Sequence, residues 1–227
     1  MNDDARLRND IRLLGNLLGE TLVRQHDESL LEQVEEVRAL TKRIRSDNAA
    51  DRERASNELD ALIAELDLDT AIRLVRAFST YFYLANVAEQ VHRLAAGPGS
   101  GALSATTDRI LAEGVDRALL RDIAGRLEMR PVFTAHPTEA ARRSMRTKTH
   151  RIAELIEERW RTADDSVAEA RIERRLAELV DLMWQTDELR SERPTPEEEA
   201  RSTVHAFDEL YDDAVPDVYD EFDHQMA

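Results

Sequence analysis

The chain reads VFTAHPTEAARR over residues 132–143, and this stretch decides how the fold of the whole sequence is interpreted. Pro131 to Ala135 is a short apolar run followed by a turn signal, which predicts a buried strand. His136 precedes Pro137, and a residue before proline avoids the helical region. A helix can begin again at Thr138. The stretch therefore places a histidine at the end of the one strand that the sequence predicts.

The sequence on both sides of this stretch favours helices. Glycine and proline are scarce, at 7 and 6 of 227 residues, and apolar residues recur at three- and four-residue steps. We predict helices over about 4–25, 30–44, 51–66, 69–94, 106–113, 116–128, 138–162, 165–190 and from 195 onwards. A single strand cannot satisfy its own backbone groups, so either 132–135 is not a strand or its partners lie in other sequence. The predicted class is mainly α.

Local signals refine these helices. Asp69 is a candidate cap for the fourth helix. That helix contains Phe78, Tyr81, Phe82 and Tyr83, so we expect its middle to be buried. Thr195 and Glu198 stand at the two ends of a capping box, and the helix that they begin is expected to kink at Pro216.

The clearest break in the pattern is GPGSG at 97–101, which holds three of the seven glycines. We expect a flexible loop over 97–105, because glycine and proline together disfavour regular structure. It would divide the chain into an N-terminal helical region, 1–96, and a second region, 106–227. A loop inside one helical domain is an equally good interpretation.

The charge of the chain excludes several classes of function. The formal net charge is −16, and such a surface repels nucleic acid and anionic membranes. The sequence contains no cysteine, so it can form neither disulfides nor thiolate metal sites. It shows no signal peptide and no run of about 18 apolar residues, so we expect a cytoplasmic protein without membrane segments.

The acidic balance has two interpretations. Lys42 and Lys148 are the only lysines among 31 basic residues, and the rest are arginine. A GC-rich genome favours arginine codons and would explain that bias alone. Adaptation to high salt would also explain the excess of carboxylates, which keep a protein hydrated and soluble.

His136 and the basic pair after it are the candidate site. A neutral imidazole with a pKa near 6.5 can move a proton or stabilise an anion at neutral pH. Arg142 and Arg143 lie in the first turns of the predicted helix, where the free N–H groups also attract anions. A lone histidine at a strand end is more often structural, so these residues alone make a modest case.

Residues 132–143 resemble the first signature of the phosphoenolpyruvate carboxylase family, in which Thr-Ala-His-Pro-Thr-Glu precedes a basic pair. Residues 78–90 resemble a helix of that family, and LMWQTDELR at 182–190 with RPTPEEEAR at 193–201 resembles a later motif. Leu7 to Leu22 fits the helix that opens many microbial members. The resemblance spans essentially the whole chain and about the first quarter of a complete enzyme.

The resemblance implies a fold and an activity. The fold would be the N-terminal helical part of a helix-rich phosphoenolpyruvate/pyruvate-type α/β barrel, with 132–135 as its first strand. The activity would be the carboxylation of phosphoenolpyruvate with bicarbonate to give oxaloacetate and phosphate. His136 would be catalytic, and Arg142 and Arg143 would bind substrate.

The resemblance also implies what this chain lacks. The enzyme needs Mg²⁺ or Mn²⁺, and its metal ligands, glycine-rich loop and catalytic lysine are expected in other sequence, so the isolated chain would be inactive. Complete members are homotetramers. The alternative is a non-catalytic helical scaffold or interaction protein that descends from the enzyme.

Other polar and aromatic residues have structural interpretations. Trp160 and Trp184 are expected in the core or at an interface rather than in a binding platform. Asp187, Glu188 and Arg190 could surround an active site, but a buried salt-bridge network is the more common role of such a group.

Overall fold

Helices account for nearly all of the residues that the structure describes. A computed structural model describes residues 3–95, 98–128, 130, 143–162, 165–187, 195–211 and 215–226. Within these ranges the chain forms α1 Asp3–Gln25, α2 Glu28–Ile44, α3 Ala49–Glu65, α4 Leu68–Ala95, α5 Pro98–Ala112, α6 Arg117–Ala124, α7 Arg143–Arg161, α8 Ser166–Trp184, α9 Pro196–Glu209 and α10 Val215–Met226. None of the described residues lies in a strand. The mainly α class is confirmed, and the predicted strand at 132–135 lies outside the described residues.

The helix starts follow from side chains that satisfy free backbone N–H groups. Asp27 accepts from Leu30 N at the start of α2, and Asp165 accepts from Val167 N and Ala168 N at the start of α8. These caps satisfy backbone N–H groups in the first turns of α2 and α8, which are 17 and 19 residues long.

The capping box predicted at α9 is confirmed. Glu198 N donates to Thr195 Oγ1 over 3.3 Å, and Thr195 N donates to Glu198 Oε2 over 2.9 Å. Each side chain satisfies the backbone of the other, as the spacing of the two residues predicts.

The prediction of Asp69 as the cap of α4 was wrong. Thr70 N donates to Asp67 Oδ1 over 2.9 Å, so the cap lies two residues earlier. Asp69 instead lies in the first turn of α4, where its negative charge interacts favourably with the helix dipole.

The loop predicted over 97–105 is also wrong, because α5 begins at Pro98. Proline fits the first turn of a helix, where its missing N–H has no intrahelical partner. The residues from Ala102 to Ala105 are mostly good helix formers, and they continue the helix beyond the glycines. A glycine is needed instead at Gly114, whose φ of 86° follows the end of α5.

The last predicted helix is two helices. α9 ends at Glu209 and α10 begins at Val215, with Pro216 in its first turn rather than at an interior kink. Proline is tolerated there for the same reason as Pro98 in α5.

The chain forms two compact units, and they do not follow the predicted regions 1–96 and 106–227. The first unit comprises 1–91 and 143–187, and the second comprises 92–142 and 188–227. α7 and α8 belong with the N-terminal helices because α8 packs against both α1 and α7. In the second unit α5 packs against α10.

The core of the first unit is built by α1, α4, α7 and α8, with α2 at its margin and α3 packed on α2. The fully buried side chains recur at helical spacing and include Leu14, Leu22, Leu84, Ile152, Leu155, Ile156, Ile172, Leu176 and Met183. Each such side chain contributes about 1.5–3 kcal/mol of burial. The middle of α4 is buried, as predicted, although Phe82 is 59 % exposed. The buried face of α4 carries small and aliphatic residues such as Ala77, Leu84 and Ala88.

Candidate functional site

The predicted site residues lie at the edge of the described structure. His136 and Arg142 are outside the described residues, and Arg143 is the first residue of α7 with no description of its side chain. What the structure describes is the end of the first unit from which this segment departs.

α7 is anchored in the core directly after the candidate site. Met145 in its first turn is buried, and Ile152, Leu155 and Ile156 are fully buried further along. These apolar contacts fix the helix axis relative to α1 and α8. The backbone at Arg143 therefore has a rigid support on its C-terminal side.

A cluster of polar side chains lies where α7 begins and α8 ends, and we call it the Thr186 cluster, comprising Arg76, Ser144, Lys148 and Thr186. Lys148 Nζ donates to Thr186 Oγ1 over 3.0 Å and to Ser144 O over 3.3 Å. Arg76 Nη2 donates to Thr186 O over 3.0 Å. Partial burial lowers the pKa of Lys148 from its ordinary value of 10.5. The cluster joins α4, α7 and the end of α8 through one residue.

Trp184 and His26 lie beside this cluster. Trp184 Nε1 donates to His26 Nε2 over 3.2 Å, and the two rings meet edge to face with centroids 5.5 Å apart. The guanidinium of Arg76 lies 5.2 Å from the Trp184 ring centroid, in a cation–π contact. Trp184 is buried, as expected for a core residue.

The pKa of His26 is lowered from its ordinary value of 6.5, mainly by partial desolvation. Repulsion from Arg73 and Arg76 lowers it as well, whereas the charge of Asp27 partly offsets the shift. A neutral imidazole is required for Nε2 to accept the Trp184 hydrogen bond. The sequence analysis did not single out His26. Its partner is 158 residues away, and no local pattern indicates such a pairing.

The opposite end of α7 is fixed by a buried carboxylate. Asp10 is 1 % exposed, and its two oxygens accept from Arg159 Nη1 over 2.8 Å and from Trp160 Nε1 over 2.9 Å. Arg159 also donates to Glu169 of α8 over 3.1 Å. A buried carboxylate that is satisfied on both oxygens has a structural role here, since it joins α1 to α7.

The group of Asp187, Glu188 and Arg190 was expected to form a buried salt-bridge network. Asp187 is largely exposed and lies 3.8 Å from Arg76 Nη1, which makes a surface ion pair. The prediction of burial is wrong for Asp187, because the residue follows the end of α8 at the surface. Glu188 and Arg190 lie outside the described residues.

The described residues offer no cluster that resembles a metal site. Within them, no group of three or more His, Cys, Asp or Glu side chains could hold a metal ion. His150 lies 3.4 Å from Glu154, one turn along the exposed face of α7. None of the described helices is long and apolar enough to span a bilayer.

Comparison with known proteins gives a consistent result. A sequence model of the family described as phosphoenolpyruvate carboxylase matches residues 7–227. The phosphoenolpyruvate carboxylase of Stutzerimonas stutzeri is 36 % identical over 222 residues, which cover 95 % of this chain and 25 % of that protein. The enzyme of the same name from Alcanivorax borkumensis is 37 % identical over 241 residues, which cover 100 % of this chain and 26 % of its own length.

This chain thus spans about a quarter of the length of the curated relatives that it matches. The family match begins in α1 and continues through α10, so it includes the Thr186 cluster, the core of the first unit and the stretch 132–143. On this match, which agrees with the resemblance of residues 132–143, the chain belongs to the phosphoenolpyruvate carboxylase family.

Proposed function

We propose that this chain is the N-terminal quarter of a phosphoenolpyruvate carboxylase, an enzyme that converts phosphoenolpyruvate and bicarbonate to oxaloacetate and phosphate. The observation that carries the proposal is the family match over 7–227, which includes the stretch 132–143. The resemblance also supports a cytoplasmic, homotetrameric complete enzyme whose barrel begins with a strand at 132–135.

In the proposed reaction, phosphoryl transfer from phosphoenolpyruvate to bicarbonate gives carboxyphosphate and the enolate of pyruvate. His136 would take the proton of carboxyphosphate as that species breaks down to CO₂ and phosphate. The enolate carbon then attacks CO₂ and forms oxaloacetate. An imidazole with a pKa near neutrality suits this proton transfer.

Arg142 and Arg143 are proposed to hold the anionic groups of the substrate. Arginine binds phosphate or carboxylate through two parallel hydrogen bonds, and its charge is constant at any physiological pH. Arg143 is the first described residue of α7, and the N-terminus of a helix attracts anions as well.

The divalent metal of the family does not fit the residues that the structure describes, because they contain no suitable group of ligands. No step of the proposal for this chain therefore involves the metal, and its ligands are assigned to the remaining three quarters of the enzyme. Effective catalysis needs preorganised partners around the substrate. We accordingly expect no measurable carboxylation from the isolated chain.

The direct test is reconstitution. The chain is produced together with the portion of the Stutzerimonas stutzeri enzyme that the match does not cover, and oxaloacetate is measured by its reduction with malate dehydrogenase and NADH. Activity is expected only when both pieces are present. His136→Asn should lower kcat by about 10²-fold or more, the range typical of a lost acid–base group.

His150→Asn is the matched control, because His150 is exposed on the same helix that follows the site. Equal activity of the His136→Asn variant and the parent would show that His136 has another role. Loss in both variants would indicate damage to the fold rather than to the chemistry.

The alternative, a non-catalytic scaffold, is favoured by the apolar side chains that α4 exposes, including Leu68, Val75 and Phe82. It predicts a stable complex of the two pieces without carboxylation. The genomic sequence that follows codon 227 also separates the two functions: an adjacent reading frame with the family's glycine-rich loop supports the carboxylase.

A further inference from the structure

The helix α4 is apolar on two opposite sides. One side lies in the core of the first unit and includes Leu74, Ala77, Leu84 and Ala88. The other side carries four large apolar residues that recur at steps of four, three and seven positions and therefore align along the helix. We call them the α4 stripe, which comprises Leu68, Ile72, Val75 and Phe82, each more than half exposed.

Other helices of the same core expose polar side chains instead. α1 presents Arg12, Asn16 and Glu20 to solvent, and α7 presents Arg151 and Glu157. Among the described residues of α1 and α7, none of the large apolar side chains is exposed. The stripe is thus a property of α4 and not of the whole surface of the first unit.

A helix that is apolar on both sides is typical of the interior of a large protein, where it packs between two layers. The first unit supplies one layer, through the core that α4 shares with α1, α7 and α8. The charged residues within 68–82 are Asp69, Arg73 and Arg76, and helical spacing places them beside the stripe. A second layer could therefore cover the stripe without burying a charge within it.

The relatives of this chain have enough further sequence to supply the second layer. The chain covers 25 % of the Stutzerimonas stutzeri enzyme and 26 % of the Alcanivorax borkumensis enzyme. A layer that belongs to the same polypeptide is held at a high effective concentration, so even a narrow apolar face is enough to dock it.

A second copy of this chain fits the stripe less well. Stable interfaces between separate proteins bury about 800 Å² on each side. Four partly buried side chains provide less, since even a large aromatic side chain buries only about 150–250 Å² and three of the four are aliphatic. Each copy also has a net charge of −16, so two copies repel each other.

We propose that the α4 stripe is the surface on which the first unit docks an apolar face of the remaining three quarters of the carboxylase. The docking face would accept Val75 and Phe82 near its centre and would place no charge against them. The proposal rests on the proposed function, because that function identifies the remainder of the enzyme as the partner.

The first test compares the isolated chain with a fused protein, in which the 227 residues replace the matching quarter of the Stutzerimonas stutzeri enzyme. The chain contains no cysteine, so Val75→Cys introduces a single thiol into it. Val167→Cys is the matched control, because Val167 is an exposed valine of the same unit in the first turn of α8. The rate of reaction with N-ethylmaleimide is read from the peptide that carries the new thiol, so cysteines elsewhere do not interfere.

Both thiols should react at similar rates in the isolated chain at concentrations where it is monomeric. In the fused protein the rate at position 75 should fall by about tenfold or more, because the thiol reacts only when the docked face opens. The rate at position 167 should stay the same. An unchanged rate at position 75 in the fused protein would overturn the proposal.

Two further outcomes would assign the stripe to another partner. Slow reaction at position 75 in the monomeric isolated chain would mean that the chain covers the stripe itself. Protection that appears only when the isolated chain is concentrated, and not in the fused protein, would mean that a second copy covers it. Either result contradicts docking of the remainder of the enzyme.

The second test uses stability. Val75→Gln with Phe82→Gln should leave the thermal midpoint of the isolated chain nearly unchanged, because both side chains are exposed there. In the fused protein the same change should lower the midpoint at which the first unit unfolds by several degrees, since it places amides in a covered apolar surface. Proteolysis of peptides from the first unit at rising temperature measures that midpoint. Val167→Gln is the control, and equal shifts of the double variant in the two proteins would contradict the proposal.

The outcomes separate docking from catalysis. A fused protein that protects position 75 but forms no oxaloacetate refutes the proposed function and retains the docking surface. An active fused protein in which position 75 reacts freely refutes the docking surface alone. A fused protein that aggregates unless Val75→Gln and Phe82→Gln are present would show that the stripe stays uncovered, which also refutes it.

Discussion

Arg159 Nη1 donates to Asp10 Oδ1 over 2.8 Å, and this pair joins α1 to α7 across 149 residues of sequence. Asp10 is 1 % exposed, whereas the side chain of Arg159 is 23 % exposed. The carboxylate therefore bears most of the desolvation, and its second oxygen is satisfied by Trp160. The pair fixes the C-terminal part of α7, the helix that follows the candidate site along the chain.

Asp10→Ala should lower the free energy of unfolding of the first unit by about 3 kcal/mol, because it removes the acceptor of both Arg159 Nη1 and Trp160 Nε1. Thermal and urea unfolding, followed by circular dichroism, measure the change. The surface pair Arg161–Glu157, with oxygen and nitrogen 3.9 Å apart, is the matched control on the same helix. Arg161→Ala should change stability by less than about 1 kcal/mol.

The stability of the region around Trp184 should depend on pH through His26. Because the pKa of His26 in the folded protein lies below its ordinary 6.5, the unfolded chain takes up the proton first as the pH falls. Stability is therefore full above about pH 6.5 and is lost as the pH falls through the folded pKa. Trp184 fluorescence during urea unfolding at a series of pH values would follow this loss.

Trp160 is the other tryptophan of the chain, so Trp160→Phe gives a protein whose tryptophan fluorescence comes from Trp184 alone. In that background, His26→Gln should remove the pH dependence around Trp184, since an amide oxygen accepts the indole N–H and does not titrate in this range. A pH profile that is the same with and without the histidine would assign the effect to carboxylates elsewhere.

The helices of this chain were predictable from its sequence because they depend on local spacing. Leucines and isoleucines at three- and four-residue steps defined α1 to within a residue or two of its observed bounds, Asp3–Gln25. The capping box of α9 was equally local. The loop predicted over 97–105 was wrong because composition alone does not show where in a helix a proline or glycine stands. Pro98 lies at the start of α5, where a helix tolerates proline.

The polar interactions at the ends of α7 were not predictable in the same way. Periodicity shows which face of a helix is apolar, but it does not show which helices meet. Asp10 did leave a signal, because it lies on the apolar face of α1 beside Leu7 and Leu14. A charge at such a position indicates a buried partner, although its identity as Arg159 needs the fold.

The exposed apolar row on α4 should make the isolated chain self-associate. Leu68, Ile72, Val75 and Phe82 recur at steps of four, three and seven residues and are all more than half exposed. Val75→Gln with Phe82→Gln should lower the apparent mass in concentrated solution and reduce the binding of an apolar fluorescent dye. Light scattering after size-exclusion chromatography measures the first effect.

Glu89→Gln on the exposed part of the same helix is the control, and it should leave the mass distribution unchanged. If the double glutamine variant associates as strongly as the parent, another surface is responsible. The exposed residues Leu119, Ile123 and Leu127 in and after α6 would be tested next.

Salt should stabilise the chain, because its net charge of −16 opposes compaction. Raising NaCl from about 0.1 M to about 1 M shortens the Debye length from about 10 Å to about 3 Å, which screens the repulsion among surface carboxylates. We expect the thermal midpoint, followed by circular dichroism, to rise with salt.

A variant in which the exposed residues Asp60, Glu89 and Glu178 are replaced by the corresponding amides should show a smaller rise of the midpoint with salt. Equal midpoints at both salt concentrations in the parent would favour codon bias over high-salt adaptation as the origin of the arginine-rich composition.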